Sequence, residues 1–191
     1  MKISVRNFVE FLLREGDIDN RQGRGSSVEA MQAGSRIHRK IQRGMGANYH
    51  AEVPLRIALD QGDYELIIDG RADGILIERE DGETYTYADD YNQIHLPHDV
   101  RVTIDEIKGI YQKPELLTAP VAVHRAQAMC YAYIYAVQHD LEQIRIQMTY
   151  CNLDTQEIRY FQEEFLFEEL AQWFLQLVQE YKKWADFQFE W

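Results

Sequence analysis

The stretch VTIDEIKGIY, residues 102–111, has the composition of a β-strand but carries two adjacent carboxylates and a lysine. In an extended segment alternate side chains share a face, so Glu106 and Lys108 project together and Asp105 points the other way. Such a pair can serve one metal-bound water, because the carboxylate can hold a divalent cation while the lysine stabilises the attacking hydroxide. Taken alone, however, this spacing favours an exposed ion pair, which contributes little to folding stability.

A further carboxylate stands in the middle of an apolar stretch, IIDGRADGILI, residues 67–77. Aspartate is disfavoured in strands, and a buried aspartate needs a partner or a metal. If the strands that carry Asp73 and Glu106 are neighbours, the two carboxylates can share a cation, and Mg²⁺ suits a site with few carboxylates and several waters. The structural alternative for Asp73 is a turn residue, a role that Asp69 fits better.

Hydrophobic periodicity predicts the elements that precede this strand. A first helix follows the N-cap Ser4, and a second helix, roughly Val28 to Met45, follows the N-caps Ser26 and Ser27. Three strands are predicted for AEVPLRIAL, YELIIDG and ADGILIE, which are separated by DQGD and GR. In the polar excursion that follows, ETYTYA (residues 83–88) could form a small hairpin arm.

The remaining elements follow the strand VRVTIDEIKGI. A helix is predicted to start near Thr118 and Pro120, followed by a hairpin with the turn NLDT and a final helix that begins FEELAQWF. The order predicts one α/β domain over residues 1–191, with a central mixed β-sheet flanked by helices.

Composition narrows the class of protein. A chain of 191 residues with 46% hydrophobic residues can bury one core. It has no apolar run long enough to cross a bilayer, and because its first residues lack the long apolar core and cleavage site of a signal peptide, we expect none. Its two cysteines are too few for a four-thiolate iron–sulfur cluster or a secreted disulfide framework, so we expect no such cluster and a cytoplasmic location.

Charge is unevenly distributed along the chain. The net charge is −12, which argues against nucleic acid as a partner, yet residues 1–43 hold nine of the 20 Lys/Arg and only five of the 32 Asp/Glu. Four cations lie close together on the second predicted helix: Arg36, Arg39, Lys40 and Arg43. A local basic patch can bind phosphate, especially where a divalent metal neutralises acids elsewhere. The charge distribution therefore neither excludes nor establishes nucleic acid as the partner.

Together these motifs resemble the PD-(D/E)xK nuclease superfamily, and within it the RecB-like branch. The family carries an Asp on one strand and (D/E)-x-K on the next, as in GRAD (Asp73) and Glu106-Ile107-Lys108. The branch adds a histidine one helical turn after a glycine, matched by Gly34 and His38, and a Q-x-x-x-Y helix, matched by Gln127 and Tyr131. The arrangement resembles the N-terminal nuclease domain of some bacterial DinG-type helicases, and this resemblance makes a helicase domain C-terminal to this chain an expected partner.

The resemblance implies a restriction-endonuclease-like core and a role for each matching residue. Mg²⁺ or Mn²⁺ would be held by His38, Asp73, Glu106 and the backbone carbonyl of Ile107, with Lys108 stabilising the attacking hydroxide. Gln127 and Tyr131 would contact nucleic acid or support the lysine. Phosphate contacts would come from the four cations of the second helix, and from His124 and Arg125 one turn before Gln127. Glu52 is a spare carboxylate that could join the site.

The expected function is therefore a metal-dependent DNA nuclease, with exonuclease action of the DNA repair and recombination type favoured. Two other functions stay open. One is a catalytically silent DNA-binding or protein-interaction module that keeps the nuclease fold, and the other is a metal-dependent hydrolase of a different phosphate ester. Each residue also has an ordinary interpretation: His38 as a solvated helix histidine, and Tyr131 as a core tyrosine.

Overall fold

A six-stranded mixed β-sheet runs through the computed structural model of the protein, which describes residues 1–13, 28–81, 96 and 99–189. The strands are β1 (Lys2–Ser4), β2 (Tyr49–Asp60), β3 (Glu65–Arg79), β4 (Val100–Ile110), β5 (Gln143–Asn152) and β6 (Ile158–Leu166). The helices are α1 (Val5–Leu12), α2 (Val28–Arg43), α3 (Ala122–His139) and α4 (Phe167–Phe189). The expected α/β class, a central mixed sheet flanked by helices, is confirmed.

Strand β3 is the centre of the topology because it pairs along both edges. One edge pairs antiparallel with β2 over residues 65–76 of β3. The other edge is divided: β1 pairs parallel with residues 67–69 near its start, and β4 pairs antiparallel with residues 74–79 near its end. Strands β4 and β5 are parallel, as a crossover through α3 requires, and β5 and β6 form an antiparallel hairpin. Between β1 and β4, residues 70–73 therefore line an open gap.

The helices cover the two faces of the sheet unequally. α1, α3 and α4 share the main core on the face that carries Ile104. α3 is buried on nearly every side because alanines at positions 126, 128, 132 and 136 let it approach its neighbours closely. Of the four described α-helices, only α2 lies on the opposite face, where Ile37 packs on Ile107 and Cys151. Within the described ranges, every helix is too short or too polar to cross a membrane.

The prediction of two strands at YELIIDG and ADGILIE is wrong, because β3 continues without a turn through Gly70 and Arg71. Gly70 serves packing, since a Cβ there would lie 2.5 Å from the hydroxyl of Tyr131. Gly74 likewise leaves room for the ring of Tyr49. The glycines therefore mark places where rings pack against the backbone, and local sequence patterns do not distinguish this from a turn.

Other boundaries differ in detail. The Ser4 cap is present, since its side chain accepts a hydrogen bond from the backbone N–H of Asn7 at 3.0 Å, but the three-residue strand β1 before it was not predicted. α2 ends at Arg43, two residues before Met45, and α3 begins at Ala122. The predicted caps Ser26 and Ser27 and the predicted hairpin arm at residues 83–88 lie outside the described residues.

Candidate functional site

The candidate site lies in the fork where β3 and β4 separate. Their pairing ends at Gly74 and Asp105. Beyond that pair, the backbone N–H of Ile107 donates to Oδ2 of Asp73 at 2.7 Å, so a side-chain carboxylate takes the place of a backbone carbonyl. This bond fixes Asp73 inside the gap between the strands. The next residue of β4 to project toward it is Glu106.

Asp73 and Glu106 form a buried carboxylate pair, since the two residues are only 8% and 5% exposed. Burial raises the pKa of Glu106 well above its usual range, and the neighbouring Asp73 raises it further, while Lys108 acts in the opposite direction. Burial also raises the pKa of Asp73, against the opposing effect of His38. Ionisation of both neighbouring, buried carboxylates is energetically unfavourable unless a cation lies beside them.

The only cation close to Glu106 among the described residues is Lys108, whose Nζ lies 3.4 Å from Oε1. The other oxygen, Oε2, accepts no hydrogen bond from any residue that the structure describes. A buried oxygen with no donor is destabilising unless something outside the protein binds it. The fork therefore holds a buried carboxyl oxygen without a hydrogen-bond partner, next to a lysine.

α2 closes the fork from the other side with two polar residues one turn apart. Nδ1 of His38 lies 3.5 Å from Oδ1 of Asp73. Nε2 of Gln42 donates both of its hydrogens, to Oε1 of Glu52 at 2.9 Å and to the backbone carbonyl of Asp73 at 2.8 Å. One ligand atom from each of His38, Glu52 and Asp73 lies within 4.8 Å of the others. Glu52, which the sequence analysis treated as a spare carboxylate, thus belongs to the cluster.

Glu52 has an unusual backbone conformation, with a φ of 55° in the left-handed region. It lies opposite Asp73, between the pairs Ala51–Gly74 and Val53–Ala72. At the same point the buried positions of β3 change from even numbers, such as Ile68 and Ala72, to odd numbers, such as Asp73 and Ile75. The left-handed region costs a non-glycine residue about 1–2 kcal/mol. Strain of this kind is concentrated at functional sites.

The sequence did contain a signal for Glu52. The four-residue connection after Asp60 closes a hairpin, with the N–H of Gln61 donating to the carbonyl of Tyr64 at 2.9 Å. Because a hairpin loop fixes register, counting back from it places Glu52 opposite Asp73. A glutamate in a strand, opposite an aspartate in a strand, is doubly disfavoured unless both bind something.

The donor set suits a divalent cation. One imidazole nitrogen and several carboxylate oxygens are ligands that Mn²⁺ accepts, and the oxygens alone suit Mg²⁺ with retained waters. The unsatisfied Oε2 of Glu106 at the rim of the same cluster is the independent sign that a positive group fits here. The residues present thus fit such an ion.

Gln127 and Tyr131 form the buried wall on the α3 side, with exposures of 4% and 6%. The Tyr131 hydroxyl accepts the backbone N–H of Arg71, and its pKa is raised by burial and then by Glu106. Oε1 of Gln127 has no partner among the described residues. Of the two roles left open for this pair, support of the site fits such burial better than contact with nucleic acid.

The neighbouring residues of α3 have different surroundings. His124 places Nδ1 3.0 Å from the hydroxyl of Tyr150, and burial, followed by the charge of Lys108, lowers the pKa of His124 to about 3. Arg125 donates two hydrogen bonds to Glu163, at 2.7 and 2.6 Å. A neutral histidine and a fully paired arginine are poor phosphate ligands, so the expected phosphate contacts of these two residues are not supported.

Asp105 lies on the opposite face of β4 from Glu106, as alternation predicts. Its carboxylate accepts hydrogen bonds from the hydroxyl of Tyr49 at 2.6 Å, the hydroxyl of Thr149 at 2.5 Å and Nε2 of Gln147 at 3.3 Å. Burial raises the pKa of Asp105, and these donors oppose the rise. The donors of the protein itself therefore satisfy this carboxylate.

The four cations of α2 lie on its exposed side, away from the sheet. They line a surface depression of about 540 Å³. The set is Arg36, Arg39, Lys40 and Arg43. Lys40 also hydrogen-bonds Oε1 of Gln156 at the turn between β5 and β6. The helix thus presents His38 toward the fork and a basic surface toward solvent.

Comparison with known proteins supports the fold. The chain is similar to the crystal structure of SSO0001, with a TM-score of 0.50 and 17% sequence identity, over 93% of this chain and 75% of that chain. At this identity the similarity concerns the fold alone. No protein-family model matches the chain, and no curated protein matches it in sequence.

Proposed function

We propose that this protein is a metal-dependent nuclease of the PD-(D/E)xK superfamily, RecB-like branch, which hydrolyses DNA phosphodiesters. The observation that carries the proposal is the cluster in the fork: His38, Glu52 and Asp73 offer ligand atoms within 4.8 Å of one another, beside a buried glutamate and a lysine. Metal ligands next to a lysine form the minimal set for attack of an activated water on phosphorus.

The ligands we assign to Mg²⁺ or Mn²⁺ are His38, Glu52, Asp73 and Glu106, and the family resemblance adds the carbonyl of Ile107. When bound, the ion polarises a phosphate oxygen and lowers the pKa of its water. The chain's own contribution is to hold these ligands rigidly. The N–H of Ile107 fixes Asp73, and Gln42 fixes Glu52 against the Asp73 backbone.

Lys108 is the residue that we assign to the attacking hydroxide. Its side chain is 25% exposed, so its Nζ reaches both Glu106 and the solvent from which substrate arrives. The nearby His124 is neutral because its pKa lies at about 3, and so it does not repel the ammonium group. An ammonium donor at this point stabilises negative charge on the hydroxide and on the oxygens around the five-coordinate phosphorus of the transition state.

The basic surface of α2 supports DNA as the substrate despite the overall charge of −12. Contacts from four cations to phosphates carry no sequence information, so we expect low sequence preference. Neutralising about four phosphates gives a slope of log K against log salt of roughly −3 to −4. Binding that is insensitive to salt would argue against this surface.

The test combines calorimetric titration with Mn²⁺ and cleavage of labelled single- and double-stranded DNA. The informative variant is Asp73→Asn, which keeps an acceptor for the N–H of Ile107 but removes the charge. Asp69→Asn on the same strand, where Asp69 contacts only Lys2 at 3.2 Å among the salt bridges described, is the matched control. We expect the wild type and Asp69→Asn to bind Mn²⁺ and cleave DNA, and Asp73→Asn to do neither.

The other outcomes identify the alternatives. DNA binding without any Mn²⁺ binding would favour a silent module with a nuclease fold. Binding of Mn²⁺ without cleavage of either form of DNA would favour a hydrolase of another phosphate ester. The intact set of Asp73, Glu106 and Lys108 in one fork argues against the silent module, because a module has no use for an unsatisfied buried carboxylate.

A further inference from the structure

A second concave surface lies on the other flank of α2, between that helix and the β5–β6 hairpin. It has a volume of about 220 Å³ and is mainly apolar. We call it the hairpin groove. Its lining includes Ile41 and Met45 from the helix side, Ile158 and Tyr160 from β6, and Lys40 at its edge. None of these residues belongs to the metal cluster in the fork.

The walls of the hairpin groove are held in place by the protein. Oδ1 of Asn152 accepts the N–H groups of Asp154 and Thr155 at 2.8 and 2.9 Å, which fixes the turn between β5 and β6. The bond from Lys40 to Gln156 joins this turn to α2. A groove with fixed walls loses little entropy when a ligand enters, so it is suited to binding.

Tyr160 is the main aromatic group that the groove presents to solvent. The residue is 56% exposed on the edge strand β6, and its side chain makes no hydrogen bond or ring contact with another described residue. Ile158, two positions earlier on the same face, is 41% exposed. An exposed aromatic ring beside an apolar floor and a lysine is the arrangement on which unpaired bases stack.

Position along α2 connects this groove to the fork. His38 and Gln42 lie on the flank toward β3, whereas Lys40 lies on the flank toward β6. The four cations occupy the exposed surface between these flanks, and Lys40 lines both the basic depression and the hairpin groove. The continuous positive surface therefore leads from one flank of the helix to the other.

We infer that the hairpin groove binds an unpaired base of single-stranded DNA, stacked on Tyr160, while the phosphates cross the basic surface of α2 toward the fork. This rests on the nuclease function proposed above and specifies its substrate as a single strand. A helix with side chains is ~10–12 Å across, so the stacked base on one flank of α2 and the scissile phosphate on the other are separated by a few nucleotides of the strand.

A duplex does not fit this arrangement, because its bases are paired inside the helix and cannot reach Tyr160. An acidic peptide would satisfy the cations but would gain nothing specific from an aromatic ring. The chemistry of the two adjoining surfaces, one cationic and one aromatic, matches the alternation of phosphate and base in a single strand.

The experiment measures binding of a fluorescent 12-nucleotide oligothymidine and of a blunt duplex by anisotropy, with Mn²⁺ and in a Lys108→Ala background that prevents turnover. The variants are Tyr160→Ala and Tyr160→Phe. The control is Leu166→Ala, because Leu166 lies on the same face of β6 with an exposure of 55% but ~20 Å farther along the strand.

We expect Tyr160→Ala to weaken binding of the single strand about 5- to 100-fold, the range for loss of one base–aromatic stack. Tyr160→Phe and Leu166→Ala change the affinity for the single strand by no more than about twofold. The affinity for the duplex is unchanged in all three variants. Equal single-strand affinities for Tyr160→Ala and Leu166→Ala would overturn the groove alone. Absence of any DNA binding in the parent would overturn both the groove and the nuclease proposal.

Discussion

Replacing Glu52 by glycine and by alanine separates the two properties of this residue, its strained backbone and its carboxylate. Both variants lose the hydrogen bond from Gln42, but only alanine keeps the strain at a φ of 55°. At an ordinary strand position, a protein with glycine is about 0.5–1 kcal/mol less stable than the same protein with alanine. Here relief of the left-handed conformation, about 1–2 kcal/mol, reverses the order. We therefore expect the metal-free Gly variant to be more stable than the Ala variant by up to about 1.5 kcal/mol.

Urea unfolding in EDTA measures this difference, and an Ala variant at least as stable as the Gly variant would refute the assignment of strain. The same unfolding curves with Mn²⁺ test the carboxylate. At a concentration of about 100 Kd, a bound ion stabilises the native state by about 2.7 kcal/mol. We expect the wild type to gain this stability and both variants to gain much less. An undiminished gain in both would remove Glu52 from the ligand set.

Two further predictions concern residues beside the cluster. The pKa of His124 is lowered from 6.5 to about 3, so below pH 6.5 the unfolded state binds more protons than the folded state, and stability falls as the pH drops toward 3. At pH 5.5 the loss of unfolding free energy is about 1 kcal/mol. In a plot of urea midpoint against pH, His124→Gln should flatten this decline. Tyr49→Phe leaves Oδ2 of the buried Asp105 without its 2.6 Å partner and should lower the free energy of unfolding by about 1–3 kcal/mol, while a calorimetric titration finds Mn²⁺ binding unchanged.

Local patterns predicted those features that depend on a few consecutive residues. Alternation along β4 separated Glu106 from Asp105, and the structure places the two on opposite faces because strand geometry has a period of two. Helical spacing likewise placed the four cations close together on α2, and in the structure all four line one depression. These features needed no knowledge of partners distant in sequence.

Features set by distant partners were missed. Gly70 was interpreted as part of a turn because the ring that excludes a side chain there belongs to Tyr131, on a helix much later in the chain. Arg125 was expected to contact phosphate because nothing near it in sequence indicated its pairing with Glu163. The left-handed backbone of Glu52 depends on the tertiary structure around Asp73, and single-residue propensities give no sign of it.

Hydrolysis of DNA in the fork between β3 and β4 is tested most directly by the cleavage rate of a labelled oligonucleotide at saturating Mn²⁺, for the wild type and for Lys108→Ala. The variant keeps all four proposed ligands and loses only the ammonium group 3.4 Å from Glu106. We predict metal-dependent cleavage by the wild type and a rate at least about 10²-fold lower for Lys108→Ala. Equal rates for the two proteins, or undiminished cleavage in EDTA, would contradict the proposed mechanism.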